Sequence, residues 1–199
     1  MSSSVDCSGG DPAFWTPINS YAVVSYIPGP LGEFITRLRE QLVQGCTAQS
    51  HVTILPPRAL FAEHAELERS FTELSANYPP FRIQMPRLSV FRQTSVIFAE
   101  IDGGADQLVD MHRAFAVGPF EAYEPFEYHP HITLVQGIQP EQVDELFDLC
   151  VRRWAEAPST SALIENVTFV QNTEQNRWID LLECELGGAL AVGRHSWES

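Results

Sequence analysis

His131-Ile132-Thr133-Leu134, at the end of the run Tyr128-His129-Pro130-His131-Ile132-Thr133-Leu134, repeats the pattern of His51-Val52-Thr53-Ile54 80 residues earlier. Each copy alternates a polar with an aliphatic residue, and successive side chains of a β-strand point to opposite faces. His51 therefore shares a face with Thr53, and His131 with Thr133. Val52 and Ile54, like Ile132 and Leu134, face a core. Two such strands meeting at one cleft would present two imidazoles and two hydroxyls together, an arrangement suited to acid-base chemistry around a phosphate.

Outward from the two motifs, the surrounding segments also repeat. Tyr21 to Ile27 reads as a strand closed by Pro28-Gly29-Pro30. Leu31, Phe34, Ile35, Leu38 and Leu42 form one helical stripe, with Gly45 as its stop. The first motif strand follows and is expected to end at Pro56-Pro57. Leu67, Phe71, Leu74 and Tyr78 mark a second helix. Phe81 to Phe91 and Ser95 to Ile101 read as a hairpin. Gly103-Gly104 opens a third helix carrying Leu108, Met111, His112 and Phe115, and Gly118 to Tyr128 reads as a loop into the second motif. Pro140 occupies the first position of a helix carrying Val143 to Trp154. Leu163 to Val170 and Arg177 to Leu186 form a last hairpin around Asn172 to Asn176.

The order motif strand, helix, hairpin thus occurs twice. Val90 lies 39 residues after His51, and Phe169 lies 38 after His131. An internal duplication accounts for this spacing, and the element order gives an α+β fold with helices covering one face of each antiparallel sheet. Residues 19–186 are expected to form one domain, with a loose arm at 1–18 and a tail at 187–199.

Composition narrows the chemistry. At 44% apolar residues the chain can bury a substantial core, and no apolar run reaches membrane-spanning length. Met1 to Gly10 has neither a basic n-region nor an apolar h-region, so a cytoplasmic location is the expectation. Cys7, Cys46, Cys150 and Cys184 are widely spaced and suggest idle thiols. The 26 acidic residues outweigh the 12 basic ones for a net charge of −14, and every basic residue is Arg. Without Lys there is no lysyl-nucleotide intermediate, no Schiff base and no P-loop lysine. The acidic balance also disfavours long nucleic acid, whose affinity comes from neutralising many phosphates.

Two His-x-Thr-aliphatic motifs about 80 residues apart resemble those of the 2H phosphoesterase superfamily, and the run from Tyr128 to Leu134 is especially close to the second motif of its 2′-5′ RNA ligase-like, cyclic phosphodiesterase branch. The resemblance covers roughly Ser20 to Leu186. It implies two lobes related by a pseudo-twofold axis, with the active-site cleft between them. It also implies metal-independent opening of 2′,3′-cyclic phosphates, with His51 as general acid, His131 as general base, and Thr53 and Thr133 holding phosphate oxygens. The residues themselves do not distinguish the two roles, because the motifs are chemically alike. In this branch an Arg often follows the second motif, three residues after the Thr, where this chain has Gln136.

Arg58, just beyond the first motif, is a candidate substitute for that arginine; a solvated loop position is the alternative. Phe91, Phe126, Tyr128 and Trp178 are candidate base-stacking groups, of which Tyr128 is preferred as a substrate contact beside Arg58 and Gln136. His129 alternates onto the face of His131, so a metal site of His51, His129 and His131 is a rival reading. No carboxylate partner is marked nearby, and His129 is read as a residue of the cleft rim, with no metal or cofactor expected. His112 belongs to a helical stripe and is expected to be packed; His64 and His195 carry no motif. The expected partner is a small nucleotide or an RNA end bearing a cyclic phosphate, bound by a monomer. Alternatives are another small cyclic nucleotide as substrate, ATP-independent 2′-5′ ligation, and a non-catalytic nucleotide-binding module.

Overall fold

The computed structural model describes residues 19–43, 45–46, 48–173 and 177–188. The first half contains β1 (Tyr21–Tyr26), α1 (Gly29–Leu42), β2 (His51–Arg58), α2 (His64–Ala76), β3 (Phe81–Gln84) and β4 (Arg87–Phe91). The second contains β5 (Val96–Glu100), α3 (Ala105–Phe115), β6 (His131–Val135), α4 (Val143–Trp154), β7 (Ser161–Ile164), β8 (Asn166–Thr173) and β9 (Arg177–Glu185). Two sheets, ordered β2-β1-β8-β9 and β4-β5-β6, are joined by the two-stranded ribbon β3-β7. All their pairings are antiparallel.

Matching the halves element by element pairs β1 with β5, β2 with β6 and β4 with β8. Under that correspondence β2-β1-β8 becomes β6-β5-β4, which is the order observed. The ribbon β3-β7 maps onto itself and lies at the pseudo-twofold axis. Each motif strand is an edge strand, and each sheet borrows from the opposite half: the four-stranded sheet takes β8 and β9, and the three-stranded sheet takes β4. Helices α2 and α3 pack on the first sheet, α1 and α4 on the second, and β2 lies against β6. A single core of Val52, Ile54, Ile132 and Leu134 with Phe71, Phe115 and Phe169 spans both lobes.

The helices start where the sequence gives them room. Gly32 lets α1 lie directly beside the end of β1, since a Cβ there would sit 1.8 Å from the Ile27 carbonyl oxygen. Ser50 then ties β2 to this helix: its hydroxyl donates to the Gly32 carbonyl at 3.0 Å, and its amide donates to the Thr36 hydroxyl at 3.2 Å. A 3₁₀ turn at Pro140–Gln142 precedes α4, where Gln139 and Gln142 cap each other reciprocally.

Several boundaries depart from the sequence reading. The first motif strand does not end at Pro56-Pro57 but continues to Arg58. β2 is an edge strand with irregular register against β1, so prolines lacking a donor are tolerated. The expected strand over Phe81 to Phe91 divides at Met85-Pro86, because β3 leaves to pair with β7 while β4 pairs with β5. The run Leu163 to Val170 divides in the same way into β7 and β8. The arm at 1–18, the tip at 174–176 and the tail from 189 onward lie outside the described residues, as do Cys7 and His195. No helix among the described residues is long and apolar enough to cross a membrane.

Arg58 closes the far end of β2. Its guanidinium donates to the Pro56 and Phe120 carbonyls, each at 3.0 Å, and pairs with Glu124. Removing one partner of a buried ion pair leaves the other desolvated and uncompensated. Arg58→Ala is therefore expected to lower stability by about 3–5 kcal/mol, measured by urea denaturation, whereas removing a solvated arginine would change it by less than about 0.5 kcal/mol.

Candidate active site

β2 and β6 bring the two motifs together on the sheet faces opposite the helices. Tyr26 pairs with His51 and Val24 with Thr53 across β1-β2. Glu100 pairs with His131 and Phe98 with Thr133 across β5-β6. Both histidines are half-buried and held in the same way. His51 Nδ1 lies 2.8 Å from the Gln49 carbonyl oxygen, and His131 Nδ1 lies 2.7 Å from that of His129, each two residues upstream. A carbonyl only accepts, so Nδ1 carries the hydrogen in both rings. Nε2 is then the nitrogen left for proton transfer, and neither Nε2 has a partner among the described residues.

The rings differ in their surroundings. His51 stands edge-on to Tyr26 at 6.4 Å, and the Tyr26 hydroxyl donates to Asp180 at 2.6 Å. His131 stands edge-on to Phe91 at 5.0 Å, and Phe91 stacks on Phe98 at 4.0 Å. Burial lowers the His51 pKa to about 4; the positive charge of Arg39 and proximity to His131 add to this, against the opposing hydrogen bond to Gln49. Burial also lowers His131, with His129 adding to the effect and the bond to the His129 carbonyl opposing it. Both imidazoles are thus neutral near pH 7 in the unliganded protein, and an anion placed between them would raise both.

The hydroxyls of Thr53 and Thr133 make no hydrogen bond among the described residues. Their backbone carbonyls are held from the opposite half of the chain. Tyr128 Oη donates to the Thr53 carbonyl at 2.7 Å, and Arg39 Nη1 donates to the Thr133 carbonyl at 3.1 Å. His112, buried on α3, contacts the Ile54 carbonyl through Nδ1 at 2.8 Å, stacks on Tyr128 at 4.0 Å and reaches Glu124 at 3.3 Å. An open recess of about 400 Å³ lies between α1 and the start of β2, lined by Tyr26, Thr36, Arg37 and Gln49; no motif histidine or threonine lines it.

The remaining sequence candidates fall in different places. Arg58 is seven residues along β2 from His51, roughly 20 Å at strand rise, and its guanidinium is committed to Glu124 and two carbonyls. It belongs to the lobe interior and is not free to meet a phosphate. Tyr128 has one face covered by His112 and its hydroxyl on Thr53, so its contribution is to place the first motif. Gln136 is exposed just past the end of β6. His129 lies 6.4 Å from His131, edge-on to Phe91 and Phe98. Among the described residues no group of three or more His, Cys, Asp or Glu side chains could hold a metal ion. Trp178 packs on Ala22, Val24 and Val170, while Phe126 is 69% exposed.

The sequence reading passed over Arg39 and Glu124. Arg39 had a signal: it lies four residues after Ile35 and three before Leu42, a charged residue on an apolar stripe. Glu124 had none, because its loop shows no period.

Two half-repeats, two antiparallel sheets with outer helices and a pair of His-x-Thr strands at their junction define a two-histidine phosphoesterase fold. Solved structures agree. E. coli LigT complexed with NADP+ superposes with a TM-score of 0.60 at 16% identity, covering 86% of this chain and 100% of that chain. The same protein complexed with 3′-AMP gives 0.55 at 18% identity, covering 85% and 99%. A further structure described as a phosphoesterase gives 0.53 at 17% identity, covering 84% and 98%. The family model of the 2′-5′ RNA ligase superfamily matches residues 27–176, and the chain belongs to that superfamily, one of 2H phosphoesterases. Among curated protein sequences there is no significant match.

The lowered imidazole pKa values carry a sign. A group whose folded pKa is depressed contributes stability that is present above its unfolded value, near 6.5, and is lost as pH falls toward the folded value. The Cε1 proton of His51 is expected to titrate near 4 by NMR, and that of His131 below 6.5. Stability should fall between pH 6.5 and 4 more steeply in the wild type than in a His51→Gln, His131→Gln double variant. Equal slopes in urea denaturation would contradict the depressed values.

Proposed function

We propose that this phosphoesterase opens 2′,3′-cyclic phosphates on nucleotides or short RNA ends by a metal-independent mechanism. The observation that carries this reading is the matched pair of imidazoles, each with Nδ1 on a carbonyl two residues upstream. Opening a strained cyclic diester by water needs one group to take the proton of the attacking water and another to protonate the departing ribose oxygen. His131 acts as the base and His51 as the acid. The substrate's negative charge raises His51 from its free value, so that a proton is held there when the phosphate is bound. The hydroxyls of Thr53 and Thr133 donate to the non-bridging oxygens, where charge develops in the transition state.

Protonation of the 3′ oxygen by His51 makes it the leaving group and keeps the phosphate on the 2′ oxygen. The net charge of −14 opposes every additional phosphate outside the cleft. The NADP+, ATP, phosphate and 3′-AMP in the LigT complexes support a small, phosphate-bearing ligand.

Purified protein incubated with 2′,3′-cyclic mononucleotides, cyclic-phosphate-ended RNA and cyclic dinucleotides is expected to yield 2′-phosphates from the first two, identified by mass spectrometry against 2′ and 3′ standards. A 3′-phosphate product would reverse the histidine roles, and silence across the panel would favour a binding module. EDTA should leave the rate unchanged. Thr53→Val and Thr133→Val keep the β-branched shape and remove one donor each, so each should lower kcat by about tenfold to a thousandfold with little change in stability. Unchanged kinetics in both would assign the threonines to the strand alone.

A further inference from the structure

Arg39 is 3% exposed on the inner side of α1. Its Nη1 donates to the Thr133 carbonyl, its Nη2 faces the Cys46 sulfur at 3.8 Å, and its Nε has no hydrogen-bond partner. No carboxylate lies within ion-pairing distance of it among the described residues. Arg58, comparably buried at 7%, is paired with Glu124. Buried charges are ordinarily paired, because desolvating an isolated ion costs several kcal/mol.

Pseudo-symmetry sharpens the contrast. α1 corresponds to α3, and each sends one basic side chain to a carbonyl of the opposite motif strand: Arg39 to Thr133 and His112 to Ile54. His112 has Glu124 at 3.3 Å, and Arg39 has no counterpart. This charge therefore lies behind the second motif strand, bound to the backbone of Thr133 and close enough to act on His51.

We propose that Arg39 is the fixed cation of the phosphate site, with the substrate's phosphate as its missing counter-ion, in place of the arginine that Gln136 does not supply. The assignment rests on the phosphoesterase reading above. Arg39 is a positioning residue: it orders Thr133 through the carbonyl and holds the anion by charge from behind the motif strand.

Inorganic phosphate is the probe, with binding measured by calorimetry at pH 7 for the wild type, Arg39→Lys, Arg39→Gln and Arg39→Met. Arg39→Lys is expected to bind within a few-fold of the wild type. Loss of the charge should weaken binding about tenfold or more. Arg39→Gln keeps a donor for the Thr133 carbonyl and gives this result even where Arg39→Met fails to fold. In the neutral variants the NMR titration of His51 should also move upward, while in Arg39→Lys, which keeps the charge, it should stay near the wild-type value. Wild-type affinity in Arg39→Gln, equal loss in Arg39→Lys and Arg39→Gln, or no phosphate binding by the wild type would each overturn the assignment. A wild type that binds phosphate through Arg39 but leaves every cyclic phosphate intact would instead sink the phosphodiesterase reading alone.

Discussion

Two edge strands that never pair with each other must be held at a fixed separation, with their outward carbonyls satisfied. β2 and β6 face this problem, because each carries one of the two His-x-Thr motifs and each ends its sheet. A carbonyl left bare in the interior is costly, and an unpaired edge invites slippage. The solution is reciprocal. Arg39 of the first half bonds Thr133 of the second, while Tyr128 and His112 of the second half reach Thr53 and Ile54 of the first. The imidazoles are spaced by these crossed contacts and by the shared core beneath them, not by a strand ladder.

The exchange of strands reinforces this. Each sheet contains its motif strand, the strand that precedes the intervening helix, and strands from the other half, β8 and β9 in one sheet and β4 in the other. Neither half can therefore complete a sheet alone, and β3-β7 stitches the two at the axis. Val52, Ile54, Ile132 and Leu134 meet in one core, so loosening either half would disturb both motifs. A duplicated chain thus shares one core between its halves.

Electrostatics then break the symmetry that the backbone preserves. Both histidines are lowered by burial, but His51 also bears the charge of Arg39, whereas the neighbour acting on His131 is another imidazole. Tyr26 and Asp180 flank one ring, and Phe91 over Phe98 flanks the other. Two chemically identical motifs thus stand in different surroundings.

The sequence by itself determined the α+β class, the duplication, the family and the pairing of His51 with Thr53 and His131 with Thr133. Those readings rest on period-two alternation, helical stripes and motif spacing, all local properties of the chain. Tertiary structure decided what depends on contacts between distant residues. It divided the runs at Met85-Pro86 and Glu165, because β3 and β7 found each other across the axis. It carried β2 through Pro56-Pro57, which only an edge strand tolerates. It placed Arg58 and Glu124 as an interior pair from positions 66 residues apart. It also left Arg39 buried without a counter-ion among the described residues, since whether a charge is paired depends on which surfaces the fold brings beside it and not on its neighbours in sequence.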